Sequence, residues 1–109
     1  MNVSETVILE KIKKYAIQII QFKNNMDFIE FSNDEKTIAA CMLNLSQIGE
    51  LAGRLDKNFI NSHNHIPWNK IIGMRHRIVH DYEGLQMNII WDIIENFLPE
   101  LIISIDELK

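Results

Sequence analysis

Hydrophobic residues recur along this chain at intervals of three and four, which is the period of an amphipathic α-helix. In the first such segment, residues 4–24, they are Ile8, Ile12, Tyr15, Ala16, Ile19 and Ile20. Asn2 followed by Glu5 is typical of a helix N-cap with a capping-box acid. The pattern therefore predicts a long first helix.

A second helix is predicted over residues 34–55, after a short connector. Ser32, Asn33 and Asp34 supply candidates for its N-cap. Residues 26–31 form a short apolar patch in the connector, with room for one helical turn. The apolar stripe of the second helix consists of Ile38, Cys41, Met42, Leu45, Ile48, Ala52 and Leu55.

The second half of the chain predicts two more helices. Residues 56–66 are polar and contain Asn-Ser-His-Asn-His, so we expect mostly loop. Pro67 suits a first helical turn and Gly84 a helix stop, which predicts a third helix over residues 67–81.

The last helix, residues 86–108, contains Pro99. Proline removes a ladder hydrogen bond, so we expect a kink near residues 96–98.

The last segment has more apolar surface than one core face needs. One stripe is Ile90, Ile94, Phe97, Leu101, Ile105 and Leu108, and it is widened by Ile89, Ile93, Leu98 and Ile102. This predicts a helix-mediated homodimer, and the alternative is that the last helix is central to the bundle. The expected fold is all-α: one domain, residues 1–109, forming an up-and-down four-helix bundle with a kinked C-terminal helix.

Composition fits one small soluble domain. The chain has 109 residues, of which 47% are hydrophobic, enough for a single core. A single cysteine excludes an intramolecular disulfide and a multi-cysteine zinc site. Neither a signal-peptide pattern nor an apolar run of ~18 residues is visible, so we expect a cytoplasmic protein without a membrane span.

Charge is segregated along the sequence. The net charge of −4 argues against non-specific coating of nucleic acids. Residues 67–80, however, contain Lys70, Arg75 and Arg77 and no carboxylate, whereas residues 84–109 contain five acids and one lysine. A local cationic site on the third helix is therefore compatible with the acidic total.

Candidate chemistry is concentrated in GMRHRIVHDYEG, residues 73–84. Arg75, His80 and Tyr82 occur there near the predicted end of the third helix. An arginine binds a phosphate through paired hydrogen bonds and offsets charge that develops on phosphorus. A histidine transfers protons near neutral pH. The combination of an arginine and a histidine is therefore suited to chemistry on a phosphodiester.

The spacing of Arg75, His80 and Tyr82 resembles the Rx4HxY motif of the HepT-like group within the HEPN superfamily (higher eukaryote and prokaryote nucleotide-binding domains). Three longer blocks are also similar to that group. They are IPWNKIIGMRHRIVHDYEG at residues 66–84, LSQIGELAGRL at residues 45–55 and IIWDIIENFLPEL at residues 89–101.

The resemblance implies a small all-helical toxin, encoded beside an MNT-type minimal nucleotidyltransferase that serves as its antitoxin. The implied activity is metal-independent and cofactor-free RNA cleavage in a cleft between two subunits. Arg75 would bind the scissile phosphate, and His80 would act as general base or acid for attack by the ribose 2′-hydroxyl. Tyr82 would support the site and accept the AMP group that blocks the toxin.

The residues around the motif leave alternatives open. His76 stands where the group usually has asparagine, which keeps a hydrogen-bonding role but adds a titratable ring. Arg77 and Lys70 either contact RNA or face solvent, and Glu50 either pairs with the cations around Arg75 or is simply an exposed acid. A zinc site at His76 and His80 lacks completing ligands, so no metal is expected.

A second function class is a binding module without chemistry of its own. In that case the chain would be the nucleotide- or substrate-binding subunit of a two-protein nucleotidyltransferase, and Arg75 and His80 would only hold a phosphate. A third, weaker interpretation is a structural helical adaptor, in which replacing Arg75 changes stability alone.

Overall fold

The protein is described by a computed structural model. It covers the backbone of residues 1–81 and 86–108, and the side chains of all of these except residues 79–81. The described residues contain no β-strand, which confirms the all-α class. In chain order the helices are α1 (Val3–Lys23), α2 (Phe28–Ser32), α3 (Glu35–Ala52), α4 (Lys57–Ser62), α5 (Trp68–Asp81), α6 (Met87–Asp92), a π-helical turn (Ile93–Phe97) and α7 (Leu98–Leu108).

Helix α3 is the centre of the bundle, because it packs against both α1 and α5. The helix α7 covers α1 from another side. The core between them is apolar and includes the fully buried side chains of Leu9, Ile12, Ile19, Leu45, Ile48, Ile71 and Ile105. The predicted helical bundle is therefore confirmed, with two short helices, α2 and α4, added to its main elements.

Local capping explains where the first helices begin. The Asn2 side chain accepts a hydrogen bond from the Glu5 backbone N–H at 2.8 Å, and the Glu5 carboxylate accepts one from Asn2 N–H at 3.0 Å. Asp27 and Glu30 form the same reciprocal box at the start of α2. Asp34 caps α3 by accepting from Thr37 N–H. These interactions satisfy backbone donors that a helix end leaves unpaired.

The prediction that residues 56–66 are mostly loop is wrong. Helix α4 begins after Asp56, whose side chain accepts a hydrogen bond from Phe59 N–H at 2.8 Å. Phe59 is buried, with its ring centroid 6.2 Å from that of Trp68. A side-chain cap and a buried aromatic residue thus accompany a short helix that the polar composition of the segment conceals.

The predicted interruption of the last helix takes the form of a π-helical turn just before Pro99. The Leu98 N–H donates to the carbonyl of Ile93, five residues earlier, instead of four. Proline has no N–H to donate, and its ring crowds the carbonyl four residues before it. Widening the preceding turn accommodates both effects.

The extra residue of the π turn also changes which side chains face the core. Leu98 is fully buried, together with Ile90 and Ile94, whereas Phe97 is only half-buried. The sequence pattern placed Phe97 on the principal stripe and Leu98 on the widening one. A regular 3.6-residue period misassigns them because one residue is inserted into the helical repeat.

Buried polar groups on α3 are few and paired. The Asn44 side chain donates to Gln18 Oε1 at 2.9 Å, which ties α3 to α1. Cys41 is fully buried, as its place on the apolar stripe predicts. Desolvation raises the pKa of its thiol to about 11, so the group behaves as a small hydrophobe.

Helices α3 and α5 are in close contact at Gly49, which is buried. A Cβ atom added there would lie 2.6 Å from Arg75 Cβ and 3.0 Å from the carbonyl oxygen of Ile71. Both atoms belong to the backbone of α5 or are bonded directly to it, so neither can move away unless the whole helix moves. Only glycine fits this position, so Gly49 fixes the distance between the two helices.

We expect Gly49→Ala to destabilise the fold by about 1–3 kcal/mol, because the added methyl overpacks the contact with α5. The matched control is Gly53→Ala at the end of the same helix, where the nearest atoms would be 3.4 and 3.5 Å away. Gly53 has φ of −66°, so alanine is compatible and should be neutral or slightly stabilising. Urea denaturation of both variants measures the difference, and equal stabilities would contradict the role given to Gly49.

Candidate active site

Arg75 lies on α5 at the contact with α3. Its backbone N and Cβ face Gly49, while its guanidinium group continues past the contact towards solvent. There Arg75 Nε lies 2.7 Å from Glu50 Oε2. Glu50 directly follows Gly49, so the residue that permits the close approach also brings the carboxylate to Arg75.

Glu50 therefore pairs with the cation of the motif, which decides one of the alternatives left open by the sequence. The side chains of Arg75 and Glu50 are 46% and 40% exposed. An ion pair this accessible contributes roughly 0–1 kcal/mol to stability. Its main effect is to orient the guanidinium group rather than to hold the helices together.

Arg54 is a residue of this site that sequence reasoning missed. It follows Glu50 by four residues, and its Nη2 lies 3.6 Å from Glu50 Oε1. The spacing of an acid and a base four apart on a helix was visible in the sequence and predicts such contacts. What the sequence did not show is that the same carboxylate also meets Arg75 from another helix.

These residues line a surface depression of about 300 Å³ between α3 and α5, here called the arginine depression. Two guanidinium groups face one carboxylate among the described lining residues, so the surface is locally cationic. His76 is exposed and belongs to the same lining, next to the motif arginine. The full lining is Gly49, Glu50, Gly53, Arg54, Ile72, Arg75 and His76.

Lys70 and Arg77 lie elsewhere on α5. They line a second, larger groove of about 690 Å³, here called the apolar groove, whose wall includes Met74, Ile93 and Phe97. Asp92, from α6, also lines this groove. The structure thus separates the two peripheral cations from Arg75 and His76.

His80 lies within α5, but its side chain is outside the described residues, and Tyr82 lies entirely outside them. The catalytic role of His80 and the modification of Tyr82 stay predictions. In the described part of the chain, no three side chains among His, Cys, Asp and Glu are grouped so that they could hold a metal ion. No helix there is long and apolar enough to cross a membrane.

Comparison with known proteins assigns the chain to a family. A family model described as "Ribonuclease HepT-like" matches residues 10–108, which include the whole arginine depression. The chain belongs to the HepT-like ribonuclease family. The resemblance read from the motif and its flanking blocks is thereby confirmed.

Similar proteins occur in archaea and bacteria. The chain is 40% identical over 101 residues to "Putative RNase MJ0127" of Methanocaldococcus jannaschii, covering 93% of this chain and 80% of that protein. It is 33% identical over 100 residues to "Putative RNase TTE0752" of Caldanaerobacter subterraneus, covering 92% and 89%. "Probable ribonuclease HepT" of Thermococcus cleftensis is 28% identical over 109 residues, covering 100% and 99%. No solved structure matches the chain.

Proposed function

We propose that this HepT-like chain is a metal-independent endoribonuclease whose cleavage step is carried by Arg75 and His80. The observation that supports this most directly is the placement of Arg75. Packing against Gly49 fixes its Cβ, and Glu50 orients its guanidinium group within an open depression. A phosphate-binding group held this way is prepared for its ligand before the ligand arrives.

In the proposed reaction the terminal nitrogens of Arg75 bind the non-bridging oxygens of the scissile phosphate. The ribose 2′-hydroxyl attacks phosphorus and loses its proton to a neutral His80. The bond to the 5′-oxygen breaks, and that oxygen receives a proton from a protonated histidine. The products are a 2′,3′-cyclic phosphate and a free 5′-hydroxyl. Two copies of His80, one from each subunit of a dimer, would supply the base and the acid.

His76 occupies the arginine depression beside Arg75 and serves in this proposal as a hydrogen-bonding neighbour of the phosphate. An imidazole can donate or accept, as the usual asparagine does. Lys70 and Arg77, which line the apolar groove, do not take part in the cleavage step.

We propose that the apolar groove is covered by a second copy of this chain. Ile93 and Phe97 line this groove and remain half-buried, and Ile89, which lines an adjoining small pocket together with Ile93, is 36% exposed. Gly73 lies in the wall of the groove, and a Cβ added to it meets no atom within 4 Å. An interior helical glycine costs about 1 kcal/mol relative to alanine. Nothing within the described chain requires this glycine, whereas close packing of another helix would.

The chain further acts, we propose, as a toxin that a partner nucleotidyltransferase inactivates by transferring AMP to the Tyr82 hydroxyl. This part rests on family membership together with the position of Tyr82 two residues after His80. A bulky, negatively charged group two residues from His80 in the sequence would, in this proposal, compete with the RNA phosphate for Arg75.

We expect Arg75→Ala and His80→Ala each to reduce cleavage of a fluorescent oligoribonucleotide by at least ~100-fold in the presence of EDTA. Lys14→Ala, at an exposed cation on α1, is the matched control and should cleave at the wild-type rate. Undiminished cleavage by both site variants would refute the assignment. Binding of RNA or nucleotide without any cleavage by the wild-type protein would instead favour the binding-subunit alternative.

Gly73→Arg should convert a dimer into a monomer, because the long side chain would project into the surface proposed to receive the second copy. Ala39→Arg, at an exposed position of α3, should leave the oligomeric state unchanged. Size-exclusion chromatography with light scattering measures both masses, and circular dichroism checks that each variant is folded. A wild-type protein that is monomeric at all concentrations would contradict the proposed dimer.

Co-expression with a nucleotidyltransferase encoded next to this gene should add one adenylyl group to the protein and relieve growth arrest. Intact-mass spectrometry should detect the adduct in the wild type and in Tyr15→Phe, but not in Tyr82→Phe. These are the two tyrosines of the chain, so each variant controls for the other. An adduct that survives in Tyr82→Phe would locate the modification elsewhere.

A further inference from the structure

Arg54 is a guanidinium group that the proposed cleavage step leaves unused. Its side chain is 60% exposed, although it lines the same depression as Arg75 and His76. Its Nη2 is 3.6 Å from Glu50 Oε1, which is longer than a hydrogen bond. A contact this loose between exposed groups on one helix leaves the guanidinium group of Arg54 accessible to an anion.

The surroundings of Arg54 suit an anion that lies across the depression. Glu50 offsets one of the two arginines, which leaves the charge of the other available. Gly53 is exposed and contributes no side chain to the lining, so a ligand can approach the backbone of α3 closely at that residue. Ile72 is the apolar residue of the lining and is only half-buried.

The geometry also limits the distance between the two arginines. Arg75 Nε contacts one oxygen of the Glu50 carboxylate and Arg54 Nη2 approaches the other. The two guanidinium groups therefore flank a single carboxylate, one at each of its oxygens. Two neighbouring cations can each bind a different phosphate of one strand, which suits a polynucleotide.

We propose that Arg54 binds the RNA phosphate adjacent to the scissile one, so that the arginine depression holds two consecutive phosphates of a single strand. This proposal rests on the ribonuclease function assigned to Arg75. It deepens that assignment, because it makes the enzyme prefer a strand with a second phosphate over a dinucleotide that contains only the scissile one. Arg54 then contributes to substrate binding and not to the chemical step.

The test compares an oligoribonucleotide with a dinucleoside monophosphate of the same cleavage site. Arg54→Ala should raise KM for the oligonucleotide roughly tenfold, with kcat nearly constant, because a charge-assisted contact is lost before the chemical step. The preference for the longer substrate should fall by the same factor. The slope of log kcat/KM against log salt concentration should become shallower by about 0.7 for the oligonucleotide.

Two variants control for charge and for folding. Arg54→Lys should recover most of the salt slope, since it keeps the positive charge. Lys36→Ala, at an exposed cation in the first turn of α3, should change neither the preference nor the slope. Thermal unfolding of Arg54→Ala should match the wild type, because its ion pair is exposed.

An unchanged substrate preference in Arg54→Ala would overturn the proposal. An equal loss of kcat/KM on both substrates would also overturn it, because it would show that Arg54 acts only through Glu50 and Arg75. Failure of the ribonuclease function itself is a separate result, namely no cleavage by the wild type. In that case fluorescence anisotropy with the same oligonucleotide still decides the role of Arg54. A salt slope of binding identical in wild type and Arg54→Ala would then reject it.

Discussion

At Gly49 the backbones of α3 and α5 come so close that a single methyl group would not fit between them. The candidate site depends on this contact. Arg75, together with the carbonyl oxygen of Ile71, packs against Gly49, and the next residue of α3 supplies the carboxylate that meets the guanidinium group of Arg75. One close approach thus sets the spacing of the central helices and the position of the motif arginine together.

Packing and charge have different effects on the position of Arg75. The contact at Gly49 is buried and leaves no room for an added atom, whereas the side chains of the Arg75–Glu50 ion pair are nearly half exposed. Solvent screens such a pair, so separating it costs little. The stem of Arg75 is therefore fixed and its Nε faces the Glu50 carboxylate, while the exposed end of the guanidinium group is accessible to an anion. A deeply buried pair would exclude such an anion, because binding would place a further charge in a poorly polarisable interior.

The sequence predicted features that depend on neighbouring residues. Asn2 with Glu5 and Asp34 with Thr37 act within one turn, so the beginnings of α1 and α3 could be inferred. The family motif marked Arg75, but the pairing of Arg75 with Glu50 and the inclusion of Arg54 depend on how two helices cross. Regular helical periodicity likewise could not anticipate the π turn, whose extra residue buries Leu98 in place of Phe97. The features that the sequence did not predict all depend on contacts between helices or on a change in the helical hydrogen-bond pattern. Neither follows from the local order of residues.

The distribution of ion pairs explains how an acidic chain can present a cationic site. Among the described residues, acids of the C-terminal segment pair with α1: Asp106 Oδ1 lies 2.7 Å from Lys13 Nζ, and Glu95 pairs with Lys23. Lys23 also lies over the ring of Trp91, with Nζ 4.7 Å from its centroid. These acids neutralise cations on α1. The field that an anion meets is set within about a Debye length, roughly 8–10 Å, by the nearest charges. Among the described residues that line the arginine depression, the charged side chains are Arg75, Arg54 and the opposing Glu50, so this lining is cationic although the net charge of the chain is −4.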